Sequence, residues 1–514
     1  MRTPRAGGVL VHVSSLPSPH GIGTIGNEAR QLATILAEAG QRYWQMLPVG
    51  PTGYRDSPYQ SPSTFAGNPL LIDLPDLVER GLLAAREIKP LTELPKNQVA
   101  FGPLIKQKSK LLSKAASRQE VDRGLASFLK TPWLENYAAY SALKEANDLR
   151  SWTDWPGALA LRQQPELSRA IAKVRRRMEL EVGIQYLFHQ QWESLRAHCR
   201  KLGVVLIGDM PIFVAHDSAD VWSQPDLFEL DDRGNPTVVA GVPPDYFSKT
   251  GQRWGNPLYR WDLHGADGYK WWNERMKASL SRFDLVRVDH FRGFCAYWEI
   301  PATEVTAVKG RWVPGPGVGL FQELAGQSQL PIIAEDLGVI TPDVTALRQR
   351  FGFPGMRVGQ FGFDDEPETA LHNPDNFPPD VVAYTGTHDN DTTVGWFWGN
   401  NRRHDRRRLT RHRRRLLERV GTRGEEINWD LIELVMASKA ETAIVPVQDL
   451  LGLGSEARMN TPGKEEGNWV WRMDGLLPDH VLTRLRETTA ASDRHETSDS
   501  RHQTDPRSDL KSDV

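Results

Sequence analysis

The chain has almost no sulfur chemistry to offer. Two cysteines, Cys199 and Cys295, occur in 514 residues, too few for a disulfide framework and in keeping with a reducing, cytoplasmic compartment. No base is evident beside Cys295, so it is read as an idle or buried thiol. Charge of one sign is missing too. The 63 basic and 65 acidic side chains leave a net charge of −2, which removes the electrostatic footprint expected of a nucleic-acid partner. Long hydrophobic runs are absent as well. The stretch Val9 to Val13 is interrupted by His12 and is too short for a signal-peptide core or a membrane span, so neither secretion nor a membrane partner is expected.

What the chain has in quantity is tryptophan, 17 residues beside 17 Phe and 11 Tyr. Indole supplies a large flat surface with one donor, and sugar rings stack on such surfaces. With 39% hydrophobic and 25% charged residues, the rest reads as an ordinary globular protein.

Short apolar runs rich in β-branched residues recur between helical or loop-like stretches, the pattern of buried parallel strands. Eight stand out: Val9 to Val13, Tyr43 to Leu47, Val204 to Ile207, Leu285 to Val288, Ile332 to Ala334, Arg357 to Phe361, Val381 to Tyr384 and Ala443 to Val447. Asp209, Asp289, Glu335, Asp389 and Gln448 fall at or just beyond the C-terminal ends of these runs, the face on which closed α/β barrels place their chemistry. The expected fold is therefore α/β, a (β/α)8 TIM barrel with inserted, largely helical subdomains and active-site loops. Strand count alone also allows an open sheet.

One catalytic domain is expected over 1–486. The gap from Leu47 to Val204 exceeds any single crossover, so an insertion at about 51–203 is assigned; helical apolar spacing in Leu111 to Leu129 and Leu180 to Leu202 makes it mostly helical. A second insertion at about 215–283 is rich in Gly, Pro and aromatics and reads as loops over the barrel mouth. The segment 487–514 contains no aromatic residue and is expected to be a disordered polar tail.

In Phe283-Asp-Leu-Val-Arg-Val-Asp-His-Phe-Arg-Gly-Phe294, strand alternation puts Arg287 and Asp289 on one face. A guanidinium beside a carboxylate favours the ionised form that a nucleophile needs; a structural ion pair is the plain alternative. In Pro331-Ile-Ile-Ala-Glu-Asp-Leu-Gly338, Glu335 emerges from apolar neighbours, which raises a carboxyl pKa and suits a general acid for a leaving glycosidic oxygen. Standing alone, it reads more readily as a solvated strand end or helix cap. Val381-Val-Ala-Tyr-Thr-Gly-Thr-His-Asp-Asn390 ends in a His and Asp pair able to hydrogen-bond vicinal sugar hydroxyls. Taken together, three carboxylates at three strand ends match retaining glycoside chemistry, whose nucleophile and acid/base stand about 5–5.5 Å apart.

These segments, with Gly208-Asp-Met-Pro-Ile-Phe-Val-Ala-His-Asp217, resemble the four signature regions of the α-amylase clan. The finer pattern resembles glycoside hydrolase family 77, the amylomaltases or disproportionating 4-alpha-glucanotransferases. It lies in Gly53-Tyr-Arg-Asp-Ser-Pro-Tyr-Gln-Ser61, Thr64-Phe-Ala-Gly-Asn-Pro69, Gly241-Val-Pro-Pro-Asp-Tyr-Phe-Ser248 and Gly251-Gln-Arg-Trp-Gly-Asn-Pro257. The resemblance implies Asp289 as nucleophile, Glu335 as acid/base and Asp389 as transition-state stabiliser. It also implies substrate contacts from Arg287, His388, Asp209, His290, Tyr54, Tyr59, Ser57, Asp245, Trp254 and Asn256. The implied partners are α-1,4-glucans (maltooligosaccharides, amylose, glycogen or starch), with glucose or another glucan as acceptor, and no cofactor or metal. Tyr246, Phe247, Trp254 and Tyr259 are candidate platforms for the acceptor, core packing being the ordinary alternative for each. The rival readings are an α-1,4-glucan hydrolase of the same clan and a noncatalytic glucan-binding protein.

Two further clusters point elsewhere on their face. Asp209, His216 and Asp217 suggest a metal site, but sugar contacts or loop anchors explain them without a Lewis acid. The basic run Arg402 to Arg415 suggests an anionic partner, yet Leu409, Leu416 and Leu417 fall at helical spacing, so a helix with one packed face and solvated arginines is the expectation.

Overall fold

The computed structural model describes residues 5–120, 122–244, 248–326, 329–364, 367–399 and 406–494. Twelve strands form among them: β1 (Ala6–Leu10), β2 (Gln41–Gln45), β3 (Val205–Met210), β4 (Val238–Val242), β5 (Gln252–Pro257), β6 (Leu285–Val288), β7 (Ala296–Pro301), β8 (Arg311–Pro314), β9 (Ile332–Ala334), β10 (Gly355–Val358), β11 (Val381–Tyr384) and β12 (Thr442–Pro446). Eight of these make one parallel sheet in the order β10-β11-β12-β1-β2-β3-β6-β9. The seam between β9 and β10 is narrower: Ala334 N donates to the Pro354 carbonyl at 2.9 Å, and the Asp336 carboxylate accepts from Met356 N at 2.6 Å. Arg348 and Arg357 each lie 3.4 Å from that carboxylate. The result is the expected (β/α)8 barrel, closed at the seam by an acidic side chain.

Its lumen is filled by buried residues of the barrel strands, among them Leu10, Tyr43, Ile207, Ile333, Met356, Val382, Tyr384 and Ile444, so the barrel is a packed core and not a pore. Outside, helices lay apolar stripes on the strands. Helix Asn27–Glu38 buries Ala29, Leu32, Ala33 and Leu36, the i, i+3, i+4, i+7 spacing of a single face. The segment between β2 and β3 is largely helical and ends in the 36-residue helix Glu166–Lys201. Leu202 caps that helix, and Gly203 at φ 74 supplies the left-handed residue that turns the chain into β3. No helix of the described residues is long and apolar enough to cross a membrane.

Three expectations need correction. Segment 215–283 is not only loops: β4 and β5 pair antiparallel and join β7 and β8 in a four-stranded sheet, and helices Trp261–Ala266 and Lys270–Arg282 follow. The barrel strands β1, β2, β10 and β12 begin one to three residues before the apolar runs that announced them. The expected boundary at 487 is overturned, because helix Asp479–Ala491 continues through that point with Leu485 and Thr489 buried. Thr489 Oγ1 accepts from Gln41 Nε2 at 2.8 Å, which ties the helix to β2. Residues 495–514 lie outside the described residues. From Arg406 onward the basic run lies in helix Arg406–Val420, with Leu416 fully buried and Arg411 and Arg414 exposed; residues 402–405 and the Leu409 side chain lie outside the described set.

Candidate active site

Strand register builds the centre of the site. In β6 and β9, Arg287 pairs with Ile333 and Val288 with Ala334, so Asp289 and Glu335 are the next residues on two adjacent strand ends. Neighbouring strands lie about 4.8 Å apart and side chains alternate, so both carboxylates leave on the same face of the sheet. The crossing is pinned by backbone: Glu335 N donates to Val288 O at 3.0 Å, and Phe291 N to Glu335 O at 3.1 Å.

One strand further round, Asp209 is in register with Arg287. Arg287 Nη1 lies 2.8 Å from Asp209 Oδ1 and 2.9 Å from Asp289 Oδ1. Burial works against its charge, but Asp209 and Asp289 outweigh it and hold the guanidinium well above its ordinary value. Burial and Asp289 push the Asp209 carboxyl up, against the pull of Arg287. Arg287 is thus a fixed cation that holds Asp289 by one oxygen while 30% of that side chain stays exposed to the cleft.

Glu335 is in a different environment. Burial, and then the charge of Asp289, push its carboxyl up to about 7, against the pull of Arg287 and of the backbone amides of Leu337 and His290. Its two oxygens accept from those amides, His290 N to Oε2 at 2.7 Å and Leu337 N to Oε1 at 2.8 Å. His290 sits at φ 49, in the left-handed region that an L-residue occupies at a cost, and that turn is what aims its amide at Glu335. Burial lowers the His290 ring to about 4, so it is neutral, and it meets the edge of Trp254 with ring centroids 4.9 Å apart.

Asp389 follows β11 in a turn closed by Asn390 Oδ1, which accepts from Thr387 N and Oγ1 at 2.8 Å each. His388 stacks on Tyr59 at 5.3 Å and 16°. Tyr59 Oη donates to Asp209 at 2.8 Å and lies 2.9 Å from His388 Nε2. Burial and Asp209 hold that phenol well above its ordinary value, so it is a neutral donor. Asp209, Arg287, Asp289, His290, Glu335, His388, Asp389, Tyr59 and Trp254 are therefore linked through one set of contacts.

Other expected contacts lie further out. Asn256 is buried, donating to Val214 O at 2.9 Å and accepting from Gln60 at 3.3 Å, so both ends of its amide anchor loops. The Ser57 hydroxyl accepts from Tyr59 N at 3.2 Å and shapes the loop that carries Tyr59. Tyr54 stands 69% exposed at that loop's tip. Asp245, Tyr246 and Phe247 lie outside the described residues. Tyr259 is core: it is 1% exposed and bonded to Ile212 O. Asp217 accepts from Tyr140 at 2.7 Å and Lys144 at 2.6 Å, and His216 Nε2 lies 2.8 Å from Gly234 O, so both are loop anchors.

Sequence reasoning missed the segment Arg458 to Trp469. Asn460 Nδ2 donates to Asp389 Oδ1 at 2.6 Å, Asn460 N donates to His388 O at 3.1 Å, and Arg458 donates to the Asp389 carbonyl. The Trp469 ring lies 5.6 Å from Tyr59. No strand end or motif marks these residues, and the composition of the turn carries no signal beyond its Pro462 and Gly463.

A barrel whose mouth gathers these carboxylates, a fixed arginine and stacked aromatics defines a carbohydrate-active enzyme. The family model described as 4-alpha-glucanotransferase matches residues 11–478. The 4-alpha-glucanotransferase of Thermus thermophilus is 48% identical, covering 96% of this chain and 100% of that protein. That of Aquifex aeolicus is 44% identical, covering 91% and 95%. An amylomaltase from Streptococcus agalactiae, solved in complex with acarbose, superposes with a TM-score of 0.91 at 36% identity and covers 96% of this chain and 100% of its own. The chain belongs to the 4-alpha-glucanotransferase family, and it is an enzyme of glucan transglycosylation.

Proposed function

We propose that the enzyme moves a segment of an α-1,4-glucan to the 4-hydroxyl of glucose or of another α-1,4-glucan by double displacement, with Asp289 as nucleophile. Asp289 attacks the anomeric carbon as Glu335 delivers its proton to the leaving glycosidic oxygen, and a covalent glucosyl ester forms. Glu335, now a carboxylate, takes the proton of the acceptor's 4-hydroxyl, whose oxygen displaces Asp289 and restores the enzyme. Asp389 accepts hydrogen bonds from the hydroxyls of the distorted ring, and Arg287, His388, Asp209 and Tyr59 hold that sugar. The proposed donors are maltooligosaccharides, amylose, glycogen or starch. Two free thiols, Cys199 and Cys295, support a cytoplasmic setting.

The observation that carries this reading is the unequal treatment of two neighbouring carboxylates. Asp289 lies against a permanent cation, while burial and Asp289 itself raise the Glu335 carboxyl to about 7, and this difference in surroundings supports Asp289 as nucleophile and Glu335 as acid. Incubation with maltotriose alone tests it. Transfer gives glucose together with chains longer than the substrate, whereas glucose and maltose alone, with steadily rising reducing ends, mean that water is the acceptor and a hydrolase replaces the transferase.

A further inference from the structure

We infer that His12 is a positioning residue for His388, acting through water held in a cavity that the two side chains share, and that it keeps the His388 proton on Nε2. Its effect on the reaction rests on the reading of Asp289, Glu335 and Asp389 given above; the placing of the proton does not.

His12 follows β1, and backbone bonds hold it there. Val11 N donates to Gln45 O at 3.0 Å, Val11 O accepts from Trp44 Nε1 at 2.9 Å, and the His12 carbonyl accepts from Ser15 N at 3.0 Å. The residue precedes the short helix Val13–Ser15, but its side chain does not cap that helix. It is 7% exposed, and its Nδ1 has no hydrogen-bond partner among the described residues. Burial, and then the charge of His388, lower the ring to about 3, so it is neutral. A buried polar atom left without a partner costs about 1–3 kcal/mol, and no bond within the fold offsets that cost here.

The cavity beside it offers the missing partner. At the C-terminal ends of β1, β11 and β12 lies a space of about 30 Å³ lined by His12, Ser15, Thr387, His388, Asn390 and Gln448, among others. A polar cavity of that size has room for a water or two. Tyr59 covers one face of the His388 ring, and the cavity meets the ring elsewhere.

Counting donors places the His388 proton. The one hydroxyl hydrogen of Tyr59 goes to Asp209, so the phenol oxygen, 2.9 Å from His388 Nε2, accepts. Nε2 therefore carries a hydrogen, and Asp389 Oδ2 lies 3.5 Å from it. In the neutral ring this leaves Nδ1 as an acceptor, and what Nδ1 meets decides the tautomer. A cavity water that donates to His388 Nδ1 and is itself held by His12 Nδ1 fixes that choice. Without it the proton can move to Nδ1, and Nε2 then turns a lone pair toward Tyr59 and Asp389.

The test compares the wild-type enzyme with His12→Phe, which fills the site without a hydrogen-bonding atom, and His12→Asn, which keeps one near the position of Nδ1. Long-range proton–nitrogen NMR spectra of histidine-labelled protein read the tautomer, the His388 signal being identified by its loss in His388→Gln. Wild type and His12→Asn are expected to carry hydrogen on Nε2, and His12→Phe to show the Nδ1 form or a mixture. In maltotriose disproportionation His12→Phe is expected to lose about tenfold or more in kcat with KM changed far less, and His12→Asn to recover most of that loss. His12→Leu is read in the same way if His12→Phe does not fold. A merely structural role lowers the melting temperature of the apolar variants and leaves the tautomer as in wild type; that result, or a wild-type ring with hydrogen on Nδ1 or on both nitrogens, overturns the inference. Wild-type enzyme that makes no chain longer than maltotriose refutes the transferase reading instead, and His12 is then judged by the tautomer and by the rate of bond cleavage.

Discussion

Glu335 carries two opposing demands on one side chain. Its carboxyl, raised to about 7 by burial and Asp289, is protonated below that pH and ionised above it, so the glycosylation step falls away as pH rises through about 7. The same shift sets a stability effect of the opposite sense to that of a salt-bridged acid. The folded state binds the proton more tightly than the unfolded chain, so stability is lost as pH rises from the ordinary glutamate value toward 7. Glu335→Gln removes the charge and keeps the shape. It is expected to lower kcat by about 10²–10⁴ while gaining about 1–2 kcal/mol at neutral pH, less than the full shift because the cleft is open to water. Urea unfolding of the two proteins at pH 5 and pH 8 checks this, since the gain must shrink at the lower pH. Asn460 makes a second case. Its amide holds one oxygen of Asp389 at 2.6 Å, so Asn460→Ala frees a carboxylate that must meet sugar hydroxyls in one orientation. A kcat loss of about 10- to 100-fold with KM nearly unchanged is expected, and an equal change in both constants would make Asn460 a binding residue instead.

At the scale of elements, the barrel depends on its seam. Gly355 begins β10 directly over Asp336, and a Cβ placed there would lie 2.4 Å from the carboxylate that accepts from Met356 N and faces Arg348 and Arg357. Gly355→Ala therefore pushes the carboxylate off its partners, with an expected loss of about 2–3 kcal/mol by denaturant unfolding. Nothing local in the sequence marks this glycine. The barrel strands themselves were legible because a strand buried on both faces must be an apolar run. Where they began was less so: Gly7 and Gly8 follow Ala6 in β1, where a Cβ would lie 2.6 Å from Gln41 Oε1 and 2.5 Å from Tyr43 Cβ respectively, and glycine dilutes the apolar signal. The antiparallel sheet escaped notice for a related reason. β5 reads Gln-Arg-Trp-Gly-Asn-Pro and β8 Arg-Trp-Val-Pro, edge strands with a solvated face and turn-forming residues, which look like loop. Asp289 and Glu335 were readable because each directly follows an apolar run, and Asp389 because it lies a short turn beyond one. Asn460 and Trp469 reach the site from a segment with no such marker.

Over the whole molecule, Arg494 closes the end of the barrel opposite the active site. Arg494 is fully buried. Its guanidinium donates to the carbonyls of Met436, Ser438, Ala440 and Glu441 and to that of Ala6 in β1, so one side chain joins the start of the first strand to the approach of the last. Burial and the charge of Arg5 lower it to about 9, which leaves it charged at neutral pH among carbonyl acceptors. Removing it strands several buried carbonyl groups beneath a parallel barrel whose β1 and β12 are in register from Ala6 to Leu10. The comparison that isolates this role uses two shortened proteins, one ending at Arg494 and one at Asp493. The second is expected to be less stable by about 2–3 kcal/mol and to melt a few degrees lower, with maltotriose disproportionation at low temperature unaltered because the carboxylates sit at the other end of the strands. Equal melting of the two proteins would mean that the helix Asp479–Ala491, through Leu485 and Thr489, closes the barrel without its terminal arginine.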